Sequence, residues 1–169
     1  MGEPKGTLVV RGQRLVDRAV DALLAGGCAE VVAVVRPGVE VPNARCVVNP
    51  DPDRGLRSSL ALGIASAGPA TAVAVLLADL PGISADAVRI VLDAWRPGRI
   101  AIGLVGGRRV HPTVMSPERW QDAITLAGPD EGARALLAAH PDEVDEVELN
   151  AAIADATDLD TPDDLSRWV

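Results

Sequence analysis

Residues 72–82 read AVAVLLADLPG, an apolar run that delivers a carboxylate, Asp79, to its end before Pro81 and Gly82 break the chain. A carboxylate at the rim of a buried strand costs free energy unless it is solvated, paired or bound to a cation. A hard ion such as Mg2+ takes carboxylate oxygens and keeps positions open for water and substrate phosphates. Asp also closes turns on its own, so capping of the turn through Leu80, Pro81 and Gly82 is the other reading of Asp79. Near the C-terminus, DLDTPDDL sets Asp158 and Asp160 on either side of Leu159. In an extended segment both side chains point the same way. Asp before a Thr-Pro pair is also ordinary chemistry for starting a helix, so here too both readings stand.

The elements that must position these carboxylates follow from periodicity. QRLVDRAVDALLAGG carries Leu15, Val16, Ala19, Ala22 and Leu23 on one face and ends in two glycines, which predicts an amphipathic helix. EVVAVV has no polar alternation and predicts a strand buried on both faces, RCVVNP a second short strand and TAVAVLLA a third buried one. RSSLALGIASA, SADAVRIVLDAW and SPERWQDAITLA predict helices, the last two with Ser84 and Ser116 as N-caps. RIAIGLV predicts a strand and GGRR a turn. DEGARALLAAH predicts a short helix with acid at its positive end, EVDEVELN an edge strand and TPDDLSRWV a closing helix. Strands that alternate with helices and are apolar throughout mean a mostly parallel sheet covered on both faces. In such sheets ligands bind beyond the carboxyl ends of the strands, which is where Asp79 falls.

Composition narrows the function. The chain has 169 residues, enough for one domain with a sizeable core, and 48% of them are hydrophobic. Phe and Tyr are absent, so the core is built of Val, Leu, Ile and Ala. A formal charge of −8 argues against nucleic acid and against an anionic membrane surface. Residues 58–78 carry no charge, but Gly63, Ser66, Gly68, Pro69 and Thr71 interrupt them, so they read as helix, turn and strand and not as a membrane span. The N-terminus is polar, with no visible signal peptide. Cys28 and Cys46 form no C-x-x-C pair, which predicts two buried thiols and a cytoplasmic protein.

Several local patterns match one family in register. MGEPKG resembles the end of a Gly-rich nucleotide loop of the form Arg-Met-Gly-x-x-Lys. NPDPDRGLRSSL, LLADLPG, VHPTVMS, PDEGARALL and DLDTPDDL are similar to five later segments of the same pattern. The chain thus resembles the MobA-like nucleotidyltransferases, and within them the molybdenum cofactor cytidylyltransferase type, over essentially its whole length. The resemblance implies a single domain over 1–169 with a three-layer α/β/α, Rossmann-like sheet of the nucleotide-diphospho-sugar transferase type. It implies transfer of CMP or GMP from a nucleoside triphosphate to a phosphate of a molybdopterin-type cofactor, with release of pyrophosphate. Lys5 would sit on the triphosphate, with Gly2 in the same loop. Asp79 and Asp160 would hold Mg2+, with Asp158 as a further ligand. Asn49, Arg54, Gly55, Arg57, Ser58 and Ser59 would bind nucleotide or substrate phosphate, helped by the amides that open the following helix. His111 and Arg134 would contact substrate. Pro4 stands where the guanylyl branch more often has Asp, so CTP is expected over GTP.

The family pattern begins earlier, with an apolar strand and a Leu-Ala-(Ala/Gly)-Gly-x-x-x-Arg loop, whereas this chain starts at the Met of Met-Gly-x-x-Lys. The expectation is an unpaired place in the sheet between EVVAVV and AVAVLLA, with weakened triphosphate binding. Three accounts of it stand: a start assigned too late, a repair by GTLVV or by a partner chain, and an inactive remnant. An open sheet edge would also favour a homodimer. Beside the transferase, two other functions remain: an oxidoreductase related to enzymes acting on nicotine-derived pigments, and a non-catalytic protein that loads cofactor into a molybdenum hydroxylase. No separate G-x-G-x-x-G opens a helix, which weighs against a dinucleotide cofactor.

Overall fold

The computed structural model describes residues 5–155 and residue 157. Thr7 leads into a small antiparallel hairpin of β1 (Val9–Val10) and β2 (Gln13–Arg14). Its two turn residues, Arg11 and Gly12, both have positive φ, as a two-residue hairpin turn that matches strand twist requires. Then come α1 (Leu15–Ala25), β3 (Val32–Val35), β4 (Arg45–Val48), α2 (Leu56–Ser66), β5 (Val73–Val75) and α3 (Ala85–Ala94). The chain continues through β6 (Ile100–Val105), β7 (Arg108–Met115), α4 (Pro117–Leu126), α5 (Arg134–Ala139) and β8 (Val144–Glu148).

The helix ends follow the expected chemistry. The Ser84 side chain accepts the amide of Ala87 and opens α3, and Ser116 accepts that of Arg119 and opens α4. α1 stops at Gly26 and Gly27, the latter at φ 111°. A Cβ on Gly26 would stand 2.5 Å from Cγ1 of Val88, so this glycine lets α1 and α3 approach closely.

Alternating residues of β6 and β7 send their side chains to two cores. Ala101, Val110 and Val114 join Val20, Leu23, Val88 and Val91 beneath α1 and α3. Ile100, Ile102 and Met115 join Leu60, Ile64, Trp120, Leu136 and Leu137 beneath α2, α4 and α5. The period of two along the strands therefore makes three layers, helices on each side of a sheet. In that sheet the order is β5-β7-β6-β8; β6 and β8 are parallel, and β7 runs against both β5 and β6. β5, β6 and β8 thus share a direction, as the mostly parallel reading expects, and β7 is the single reversed strand.

β3 and β4 form a separate parallel pair. Among the described residues, β3 pairs only with β4 and β5 only with β7. The helical layers nevertheless run across both pieces. A Cβ on Gly63 of α2 would come within 3.1 Å of Val34 in β3, while Leu60 and Ile64 of the same helix sit in the core that receives Val73 and Val75 of β5. Among the described residues no strand pairs with both β3 and β5. Val9 and Val10 of GTLVV pair with β2 and with neither of these strands.

Four other expectations are corrected. Cys46 is exposed on β4, because that strand lies at an edge, and only Cys28 is half-buried, where burial pushes its thiol pKa up. Asp130 and Glu131 precede α5 and do not occupy its first turn; the Glu131 carboxylate instead accepts the Gly128 amide at 3.0 Å. Ladder pairing covers only three residues of TAVAVLLA. The segment read as a turn, GGRR, turns at Gly106 and Gly107 and then enters β7. The closing helix of TPDDLSRWV lies outside the described residues.

Candidate functional site

Three segments meet at the turn that carries Asp79. β5 ends at Val75, and Asp79 follows four residues later with its Oδ1 sealed from solvent. The Lys5–Thr7 turn leans on this corner: a methyl group on Gly6 would stand 3.8 Å from Cβ of Ala78. From α1, Arg18 Nη2 donates to the Pro81 carbonyl at 3.4 Å. The chain before the C-terminal Asp pair is stitched to the other end of the turn. Ser84 N donates to Ile153 O and Asp155 N to Gly82 O, each at 3.1 Å. A Cβ on Gly82 would stand 2.4 Å from Cβ of Asp155, so only glycine permits that approach. Gly6, the Asp79 turn and Asp155 therefore share one corner. Asp158, Asp160 and Gly2 lie outside the described residues. Among the described residues no three His, Cys, Asp or Glu side chains form a metal cage.

The second expected cluster is brought together, but its polar atoms are used internally. Asn49 is 3% exposed at the end of β4. Its Nδ2 donates to Ser58 Oγ at 3.1 Å and Ser59 Oγ at 3.0 Å, and its Oδ1 accepts the Asp51 amide at 3.0 Å. Ser58 Oγ donates onward to Gly55 O at 2.8 Å. These bonds fasten the strand end to the first turn of α2. Gly55 has φ 89°, and a Cβ there would stand 2.4 Å from the Pro129 carbonyl. Arg57 turns to the same loop: its amide donates to Pro129 O at 3.0 Å and its Nη1 to Ala127 O at 3.1 Å. The expected anion seat thus loses the Arg57 amide and guanidinium to that loop. Arg54 is exposed in the short turn before α2.

A cavity of about 390 Å3 opens beside the sheet on the α2, α4 and α5 side. Leu60, Val75, Leu77, Ile102, Trp120 and Leu137 make it apolar, while Arg109, Arg134, Asp130 and Glu131 supply charge. Arg109 Nε pairs with Glu146 Oε1 at 2.7 Å, and Arg134 is exposed. His111 lines this cavity at a β-bulge. Ile102 pairs with Thr113 and Gly103 with Val110, so His111 and Pro112 have no partner on β6. Pro112 has no amide to offer a ladder, and a two-residue bulge leaves the alternation of β7 in phase. The His111 ring reaches Val75 O through Nδ1 at 3.0 Å. Burial pushes its pKa below the ordinary imidazole value, outweighing the Val75 bond and the Asp79 charge, which both pull it up.

Arg109, Trp120 and Arg18 were not among the sequence candidates. Arg109, His111 and Thr113 line the cavity at every second position, a signal that would have been visible had residues 108–115 been read as a strand.

The sequence model for the MobA-like NTP transferase domain matches residues 1–144. The chain belongs to that family. A curated relative, the nicotine blue oxidoreductase of Paenarthrobacter nicotinovorans, is 35% identical over 97% of this chain and 87% of its own length. Among solved structures, Rv0371c of Mycobacterium tuberculosis H37Rv in complex with manganese superposes with TM-score 0.80, at 21% identity over 99% of this chain and 92% of its own. The 2-C-methyl-D-erythritol 4-phosphate cytidylyltransferase of Thermus thermophilus superposes with TM-score 0.71, at 22% identity over 98% of this chain and 92% of its own. The fold is therefore that of the nucleotide-diphospho-sugar transferases, and the domain is of the nucleotidyltransferase type.

Proposed function

We propose that this chain is one domain over 1–169 that transfers CMP from CTP, in preference to GMP from GTP, to a phosphate of a molybdopterin-type cofactor. An acceptor phosphate oxygen attacks the α-phosphorus, the bond from that phosphorus to the bridging oxygen breaks, and pyrophosphate leaves. Such a transfer asks for positioning and charge neutralisation more than for covalent chemistry. The observation that carries the reading is the corner where the Lys5–Thr7 turn, Asp79 and the segment ending at Asp155 meet. Lys5 would hold the triphosphate, and Asp79, with Asp160 and Asp158, would hold a divalent ion. Hard carboxylate oxygens beside substrate phosphates suit Mg2+, which commonly takes only one or two carboxylates from the protein. When bound, that ion neutralises charge on the phosphate oxygens. Asn49, Ser58 and Ser59 fix the shape of the nucleotide side through their mutual bonds, and Arg54 remains available to a phosphate.

The test is pyrophosphate release from CTP with Mg2+ and molybdopterin. Asp79→Asn should lower the rate about a hundredfold, a loss of the size seen when one charge-stabilising group is removed. Unchanged release by that variant would refute the role of Asp79. A second reading, reduction of a nicotine-derived pigment, is favoured by the nicotine blue oxidoreductase at 35% identity. Oxidation of NADH by nicotine blue in the presence of this chain, without pyrophosphate release from CTP, would select it.

A further inference from the structure

Arg18 occupies an awkward place on α1. It follows Leu15 by about one turn and precedes Ala22 by about one, and both of those side chains are buried. A position at the margin of a buried stripe suits an apolar residue. Arg18 instead brings five N–H donors there and satisfies them poorly. Its Nη2 reaches the Pro81 carbonyl at 3.4 Å, at the long end of hydrogen bonding. Its Nε is sealed from solvent and has no acceptor among the described residues. A buried donor without a partner destabilises a fold, and a donor on an ionised group does so more. Stability alone therefore favours an apolar side chain at this position.

What Arg18 grips accounts for it. The turn through residues 78–82 carries Asp79 and is braced at three points. At Ala78 the brace is Gly6: a methyl group there would stand 3.8 Å from Cβ of Ala78 and 3.8 Å from Cβ of Val16 on α1. At Gly82 it is Asp155, through a backbone bond and a close approach. At Pro81 it is the Arg18 guanidinium. The first two braces are set by backbone and Cβ positions. The third is the end of a long side chain, so it can tighten or slacken without repacking the corner. We propose that Arg18 is a positioning residue of the nucleotide corner: by holding the Pro81 carbonyl it keeps the Asp79 carboxylate, two residues earlier, in place for a divalent ion carried by a nucleoside triphosphate. Arg18 acts through the turn and does not touch the reacting atoms. The inference rests on the assignment of Asp79 to that ion, and the unmet Nε is the stability given up for the placement.

Two substitutions separate the roles of the side chain. Arg18→Met keeps the unbranched apolar stem and removes every donor; Arg18→Lys keeps a charged donor on a stem that can reach Pro81. Calorimetric titration of CTP, with and without Mn2+ as the probe ion, reads the share of binding due to the ion as a ratio of affinities. That ratio should fall about tenfold in R18M, the size of one hydrogen bond to a charged group, and by less than about threefold in R18K. Binding of CTP without the ion should not change. Urea denaturation should find R18M at least as stable as the wild type, because the unmet donor is gone. An unchanged ratio in R18M, or a loss of stability in R18M together with weaker binding of CTP without the ion, overturns the proposal. If the wild type gains no affinity for CTP from Mn2+, the divalent-ion reading of Asp79 fails, and amide exchange decides for Arg18. The Ile83 amide donates to Leu80 O at 3.3 Å across the same turn. Its exchange, followed by nitrogen-15 NMR, should be faster in R18M at equal global stability; equal exchange overturns the hold on the turn.

Discussion

Gly82→Ala probes the contact that joins the Asp79 turn to the C-terminal segment. The new Cβ would stand 2.4 Å from Cβ of Asp155 and 3.0 Å from its carbonyl oxygen. Ordinary contact needs about a further ångström, so residues 153–155 must move away or the turn must. Moving them breaks the bonds from Ser84 N to Ile153 O and from Asp155 N to Gly82 O. At about 1 kcal/mol net each, their loss costs about 2 kcal/mol. That agrees with the usual cost of overfilling a packed site, about 1–3 kcal/mol. For a chain of this length, the corresponding fall in Tm is about 4–8 °C. Urea denaturation followed by tryptophan fluorescence measures the loss, and pyrophosphate release from CTP measures the functional effect. Stability should fall by the stated amount, and transfer should fall further than stability explains, because the Asp158–Asp160 segment follows directly. A variant that matches the wild type in both measurements would refute the reasoning that Gly82 admits Asp155 to the corner.

Two further predictions concern the core and the cavity. Trp120→Phe keeps the buried ring but strips the donor from Val73 O, so it should destabilise by about 1–3 kcal/mol in urea denaturation. His111 has a folded pKa below its unfolded value, so the unfolded chain binds the extra proton more readily. Its contribution to stability is complete above the unfolded pKa of about 6.5 and is lost as pH falls from there through the folded value. Urea midpoints measured from pH 8 downward should therefore decline more steeply for the wild type than for His111→Asn.

The helices were legible because their signals are local. Ser84 and Ser116 cap where expected, and the spacing of Leu15, Ala22 and Leu23, closed by Gly26 and Gly27, reports the buried face of α1. The strands were legible as buried but not as paired. TAVAVLLA is apolar throughout, yet only Val73–Val75 join a ladder, and Leu76 and Leu77 leave it to pack on opposite sides of the sheet. β7 was hidden by Pro112, a residue that argues against an inner strand unless a bulge excuses its missing amide. With β7 unread, the alternation of Arg109, His111 and Thr113 had no meaning, and the cavity could not be seen. The types at positions 49, 57, 58 and 59 suggested a phosphate seat; their bonds to one another and to the loop after α4 depend on contacts distant in sequence.

The interruption between β3 and β5 also bears on motion. Among the described residues no ladder bond crosses it, and the β3–β4 ribbon and the larger ribbon share the side-chain cores under the covering helices. Sliding one ribbon past the other breaks no strand-to-strand bond among the described residues, and α2, touching both, serves as the rivet. Asn49 follows a strand of one ribbon and Asp79 a strand of the other, so such shear would alter the gauge between the two ends of the nucleotide site proposed above.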